Sequence, residues 1–274
     1  MTKNEDIIHQ DPKEIAKYII NHTPVGLLDS ALINLKVLVK KDVIDSPEIQ
    51  QELNKYKQDH LIPIKIPNLQ KKVIISPYNK DSDEFYYDQI QKIRFKLNNK
   101  YEPENIEEYD VNTEIFRKIW RRVDEYIKKY YKENNIHYNV YHNTFMDKIQ
   151  ILISGKISDN KNSWVGEWIS IWRFDLEQKN MEGEIRINTV YNEDGNVQFN
   201  LKKNYEGKIK SKDESDIADE IINFIEKKEN EVHDCIGKIN DNISEEYVKP
   251  LRKRISIIEK DMNWSLDQIQ FKQG

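Results

Sequence analysis

Trp164-Val165-Gly166-Glu167-Trp168-Ile169-Ser170-Ile171-Trp172-Arg173-Phe174 is the stretch on which the fold turns. Its tryptophans recur every four residues, a spacing that one face of a helix and one face of a strand satisfy equally. Gly166 in the interior, the two isoleucines and the hairpin signals nearby favour a strand. On a strand Trp164, Trp168, Trp172 and Phe174 share one face, with Glu167 and Arg173 opposite. Such a face is either covered by a helix or open as a stacking platform for a ligand.

Outward from this strand the alternation continues. Glu184–Tyr191 and Val197–Leu201 are alternating runs joined by Glu193-Asp194-Gly195-Asn196, and Asp-Gly between such runs marks a hairpin. Further turn clusters stand at Asp147, Ser158–Ser163 and Glu177–Asn180. Residues 136–207 therefore read as four or five long strands in an antiparallel meander.

Helical periodicity flanks the sheet. Residues 112–135 place Ile115, Ile119, Val123, Tyr126, Ile127 and Tyr130 on one face, behind Asn112 or Thr113 as cap. Arg117, Lys118, Arg121 and Arg122 occupy the other face, expected to be solvated. A long helix is expected within 208–246, with Ser211 and Glu214 in capping-box spacing and an apolar stripe through Ile217, Ile221, Phe224, Val232, Cys235, Ile239 and Ile243. About 30 helical residues span roughly 45 Å, whereas five strands span roughly 24 Å. The helix is the natural lid for the tryptophan face, and its excess length points to a neighbouring subunit. Trp164, Trp168, Trp172, Phe224 and Val232 are accordingly assigned to the core and dimer contact.

Residues 1–61 read as a stalk of three short helices, with Asp11-Pro12, Thr23-Pro24 and Ser46-Pro47 at their boundaries. Residues 62–111 read as a small β-rich globule ending in an exposed acidic loop over 100–110. Residues 247–274 form a basic, amphipathic tail. There Lys249, Arg252, Lys253, Arg254 and Lys260 oppose one acid, Glu259, so five positives and one negative leave +4 locally in a chain whose net charge is −5.

Composition narrows the function. An overall acidic chain is not expected to be a dedicated nucleic-acid binder. One cysteine, Cys235, gives no intrachain disulfide and no Cys-x-x-Cys metal pair. No apolar run approaches the ~20 residues of a membrane span, and the N-terminal residues show no signal-peptide pattern, so the expected location is the cytosol. Phosphate loops, dinucleotide fingerprints, nucleophile elbows and zinc-protease motifs are all missing. The expectation is a binding protein without catalytic residues, metal or cofactor.

The pattern Trp164-x-Gly166-x-Trp168-x-x-x-Trp172-x-Phe174, followed by Glu193-Asp194-Gly195-Asn196-Val197, resembles the α subunit of F-actin-capping protein. Lys249-x-Leu251-Arg252-Lys253 running to Trp264 is similar to that family's C-terminal signature, and His22-x-Pro24-x-Gly26 and Pro63-Ile64-Lys65-Ile66 match in order. The likeness covers residues 12–266. It departs from the family at Val190 and Asn192, before the Glu-Asp-Gly turn, and at Pro250, Ser256 and Glu259 in the basic segment. The tail beyond Trp264 also looks shortened, and Glu259 is expected to weaken or re-aim one actin contact.

The resemblance implies an α+β fold with a helical stalk, a β-rich globule, a five-stranded sheet under a long helix and a mobile tail. It implies capping of the barbed end of actin filaments in the cytoplasmic actin cytoskeleton. Contact is implied through Lys249, Arg252, Lys253, Arg254, Lys260 and Trp264, with Leu266 and Ile269 docking in an apolar cleft. The implied partner is a capping-protein β subunit, and the similar folds of α and β subunits also allow an α–α homodimer with one continuous ten-stranded sheet. Two rival classes remain. One is a phosphoinositide-binding regulator at the membrane surface, acting through the same basic residues. The other is a cytoskeletal scaffold that does not cap.

Overall fold

The computed structural model describes residues 11–81, 83–131, 136–159, 164–192, 196–211 and 213–242. The chain divides into two compact units, Met1–Glu226 and Lys227–Gly274. The first unit is α+β, as the alternation and periodicity require.

The N-terminal helices are α1 (Pro12–His22), α2 (Leu28–Leu38), α3 (Lys41–Ile44) and α4 (Pro47–Asp59). Three correspond to those expected. The one-turn α3 is additional and bridges the Val39-to-Ser46 connection. Asp11 caps α1 by accepting from the Lys13 backbone N–H at 2.9 Å. Ala16, Ile20, Leu35, Ile49, Leu53 and Tyr56 close a small core of their own.

Three short strands follow, β1 (Tyr86–Asp88), β2 (Ile93–Leu97) and β3 (Pro103–Glu108), paired antiparallel in chain order. Strand β3 corrects the acidic-loop reading of 100–110. Glu107 lies opposite Arg94 across the ladder and pairs with it at 2.8 Å, so the acids that suggested a loop are the outer face of an exposed strand.

Helix α5 (Glu114–Tyr130) starts at Thr113, whose hydroxyl accepts from the Phe116 N–H. The large sheet is β4 (Ile136–Asn143), β5 (Lys148–Asp159), β6 (Trp164–Asp175), β7 (Asn180–Asn192) and β8 (Asn196–Lys208), a meander in sequence order. Helix α6 (Glu214–Asn242) ends the described chain and runs through the division between the units.

Both faces of the sheet are buried, by different means. On the tryptophan face Trp172 and Phe174 are fully buried, joined by Val140, Ile151, Met181, Ile185 and Tyr205. On the opposite face Tyr141, Leu152, Ile169 and Ile171 share a core with Ile66, Val73, Ile74, Ile75, Tyr87 and Phe95 of the β-rich globule. A sheet buried on two sides loses simple polar alternation, which is why Leu152 and Ile169 are apolar on the face opposite Ile151 and Trp172.

Candidate protein-interaction site

The tryptophan face is assembled around one residue. Trp172 stands in register with Gly183 on β7, which stands in register with Tyr205 on β8. Its ring stacks with Tyr205 at 5.9 Å and meets the Phe224 ring of α6 edge-on at 5.9 Å and 87°. A Cβ at Gly183 would lie 2.0 Å from the Trp172 ring, and one at Gly207 would lie 2.4 Å from Phe224. Both glycines are seats for aromatic rings, a use of strand glycine that sequence reasoning missed. Register against Trp172 was the available signal at Gly183. The Trp172 indole N–H donates to the Ser170 hydroxyl at 2.6 Å, which satisfies its polar atom.

The other assigned core residues vary. Trp168 and Phe224 are half-buried, and the Trp164 side chain lies outside the described residues. Ile217, Ile221 and Ile225 are buried along the first half of α6. In the second unit Val232 is fully buried and Cys235 half-buried.

The basic run of α5 is not a purely solvated face. Lys118 reaches Glu214 at 3.2 Å, Arg122 pairs with Asp219, and the Tyr130 hydroxyl donates to Glu226. Residues four apart on α5 thus meet acids on one side of α6, fixing the two helices side by side. Arg117 and Arg121 remain exposed. The expected capping box is also corrected. Ser211 lies before the helix and gives its hydroxyl to Glu220 at 2.6 Å, while the Asp213 carbonyl accepts the first helical bond from Ile217. Glu220 collects the Lys210 and Ser211 N–H groups as well, and these bonds hold its carboxyl below the usual range.

On the opposite face polar contacts set the register. The Glu167 side chain is 1% exposed, and its Oε2 accepts from His60 Nδ1 at 2.8 Å and from Asn188 Nδ2 at 3.0 Å. Asn139 Oδ1 accepts from the Ile74 N–H at 3.0 Å, while its amide donates to buried Asp88 at 3.1 Å. Ser76 donates to Gln150 at 2.5 Å. Tyr141 donates to the Ile74 carbonyl at 2.7 Å, and burial pushes its hydroxyl well above the ordinary phenol range.

Two surfaces of the first unit are left open. The outer edge of β8, thirteen residues long, has β7 as its sole strand partner among the described residues. At the other end of the sheet, β4 lies beside the turn at Pro77–Asn79 and α5. On α2, Ile33, Val37 and Leu38 are 63%, 85% and 69% exposed, because this helix is apolar nearly all round and buries only Leu28 and Leu35. Among the described residues no group of three or more His, Cys, Asp or Glu is placed to hold a metal ion. No described helix is long and apolar enough to cross a membrane.

Lys249, Arg252, Lys253, Arg254, Lys260, Trp264, Leu266 and Ile269 all lie outside the described residues. So does the Glu193-Asp194-Gly195 turn, though the flanking strands pair through Asn192 and Asn196.

Among the described residues, an open sheet edge and an uncovered apolar helix define a protein-interaction module. The family model described as F-actin capping protein alpha subunit matches residues 16–273, and the chain belongs to that family. It is 26% identical to an F-actin-capping protein subunit alpha of Candida glabrata over 255 residues, 91% of each chain. It is 24% identical to the Caenorhabditis elegans subunit alpha over 271 residues, 96% of each. A solved structure of the homodimeric actin capping protein alpha subunit from Plasmodium berghei has the same fold. That match has a TM-score of 0.70 at 22% identity, covering 90% of this chain and 98% of that one.

Proposed function

We propose that this chain, as half of a dimer, caps the barbed end of actin filaments through its basic C-terminal segment and amphipathic tail. The observation that carries this reading is a family match that runs to residue 273 and so includes the whole segment. Lys249, Arg252 and Lys253 lie within a local charge of +4, which draws the tail to an acidic filament surface and is screened by salt. Leu266 and Ile269 then dock in an apolar cleft, and two attachment points on one body slow release. The protein works by binding rather than by catalysis, in the cytoplasm with the actin cytoskeleton.

The open β8 edge supports a dimer whose sheets join into one, and the exposed face of α2 supports further burial against the partner. A second copy of this chain is the partner favoured here, after the homodimeric Plasmodium berghei relative. A capping-protein β subunit is the alternative.

Barbed-end elongation in the presence of the purified chain tests the reading. Growth stops at substoichiometric protein. Simultaneous Lys249→Glu, Arg252→Glu and Lys253→Glu weakens capping by at least about tenfold, the loss expected for a charged contact of roughly 1.4 kcal/mol or more. Tight capping by the triple variant overturns the proposed contact. Light scattering on the same sample separates dimer from monomer. Vesicles containing phosphoinositide, added to the assay, report whether lipid competes for the same residues.

A further inference from the structure

The outer edge of β8 carries charges that its own sheet does not balance. In the β7–β8 ladder Lys202 stands opposite Arg186, and Glu206 stands opposite Glu182. Opposed residues of an antiparallel ladder share a face and lie close, so both are like-charge pairs and unfavourable. Between the two rows Asn204 stands opposite Glu184. Glu184 takes Arg186 at 2.9 Å and Lys202 at 3.0 Å, which relieves the positive pair from within the chain. The negative pair has less relief. Glu182 has Arg173 of β6 in register on its inner side. Glu206 is exposed, makes no ion pair among the described residues, and lies on the side of β8 that no described strand covers.

A second copy of the chain can answer both rows at once. A two-fold axis normal to the sheet lays β8 antiparallel to β8 of another copy and continues both sheets. Because opposed residues share a face, the axis has to pass through a residue of β8, and that residue decides which charges meet. An axis at Leu201 or nearer the start of the strand pairs no charge with another charge. An axis at Lys202, Lys203 or Lys208 sets that lysine against itself, and one at Glu206 sets two glutamates together. An axis at Tyr205 sets Lys202 against Lys208 twice. An axis at Gly207 matches Glu206 with Lys208, but keeps only Glu206–Lys208 within the strand. An axis at Asn204 sets Lys202 against Glu206 of the second copy and Glu206 against its Lys202, with Asn200–Lys208 in the ladder. Lys208 then meets Asn200. On the helix-covered face Lys203 meets Tyr205, a ring that its own Lys203 already approaches at 5.3 Å.

Given the dimer reading above, on which this rests, we propose that the β8 edge is self-complementary: it takes a second copy at one register, fixed by reciprocal Lys202–Glu206 pairs about Asn204. The arriving lysine supplies the cation that Glu182 and Glu206 lack. Arg186 keeps Glu184 when Lys202 turns outward. A strand without a base and an acid four residues apart leaves both charges unanswered, so Lys202 and Glu206 are the residues that choose the partner.

Light scattering on the full chain at micromolar concentration is the test. The wild type is expected to be a dimer that loosens as salt is raised. Lys202→Glu and Glu206→Lys each weaken self-association at least about tenfold, because two attractive pairs become two repulsive ones. Mixed in equal amounts, the two variants bring acids on one strand against bases on the other, and the mixture recovers wild-type association. That recovery also shows that both variants are folded. Asn204→Cys, in a Cys235→Ser background, gives a disulfide-linked dimer on mild oxidation, since residues on the axis lie within disulfide reach of each other. Single reversals that associate like the wild type, or a mixture that stays monomeric, overturn the seam while the wild-type dimer stands. A wild-type chain that stays monomeric overturns the seam and the favoured partner together, and an added capping-protein β subunit then shows whether it takes the edge instead. Barbed-end elongation with the wild type judges capping separately.

Discussion

The two faces of the large sheet solve the same problem in opposite ways. Under α6 the fit is steric: Trp172 lies over Gly183, Phe224 over Gly207, and Tyr205 stacks alongside. Under the globule the fit is made by directed bonds, with Asn139, Gln150 and Glu167 each joined to a residue more than fifty positions away. Shape tolerates sliding until a ring meets a wall, whereas a buried amide bonded to one backbone N–H tolerates almost none. The difference teaches that the helix lid is placed by volume and the globule by hydrogen-bond direction.

That contrast can be broken from either side. Trp172→Ala empties the steric face and should cost about 3–5 kcal/mol in urea unfolding, the range for a buried large aromatic. A loss below 1 kcal/mol would mean that α6, and not the ring, organises this face. Asn139→Leu should cost about 1–3 kcal/mol, because the Ile74 N–H and the Asp88 carboxylate lose their partner while buried. Hydrogen exchange sharpens the point: the Ile74 amide should lose protection in Asn139→Leu and keep it in Trp172→Ala under mild conditions. The smallest effect is pH-dependent. His142 is buried, its Nδ1 is 2.9 Å from the Thr113 hydroxyl, and burial lowers its pKa from 6.5 despite Asp147 nearby. The unfolded chain therefore takes up the proton first, so stability declines as pH falls below about 6.5. His142→Gln should flatten that part of the stability profile, as followed by urea midpoints across pH.

Much of the steric face was legible in the sequence, and little of the polar face was. Trp172 and Phe174 announce themselves by size and spacing, and the stripe of Ile217 and Ile221 names their cover. Gly183 was legible only once register was known, since a glycine in a strand gives no sign of what sits above it. His60 and Glu167 are 107 residues apart, and neither side chain carries a local pattern that betrays the other. Ser211 misled because capping-box spacing was satisfied while Glu220, six residues beyond Glu214, accepts its hydroxyl instead. The acids of 103–108 misled because charge signals exposure, which was right, and exposure does not distinguish an edge strand from a loop. The candidate actin contacts were legible as a charge cluster, Lys249 to Lys260, and all of them fall outside the described residues.

The unfinished side of β8 has a further consequence for how the molecule survives before it is assembled. A strand edge thirteen residues long, with no partner on its outer side among the described residues, is a template on which identical chains can stack into fibres. Along it Lys202, Lys203, Glu206 and Lys208 are all exposed, and such charges act as gatekeepers that repel an indiscriminate neighbour. The same residues raise the selectivity demanded of a legitimate one, which has to bring matching charges to the seam. Solubility of the lone chain and fidelity of its pairing are in this way written in one row of side chains.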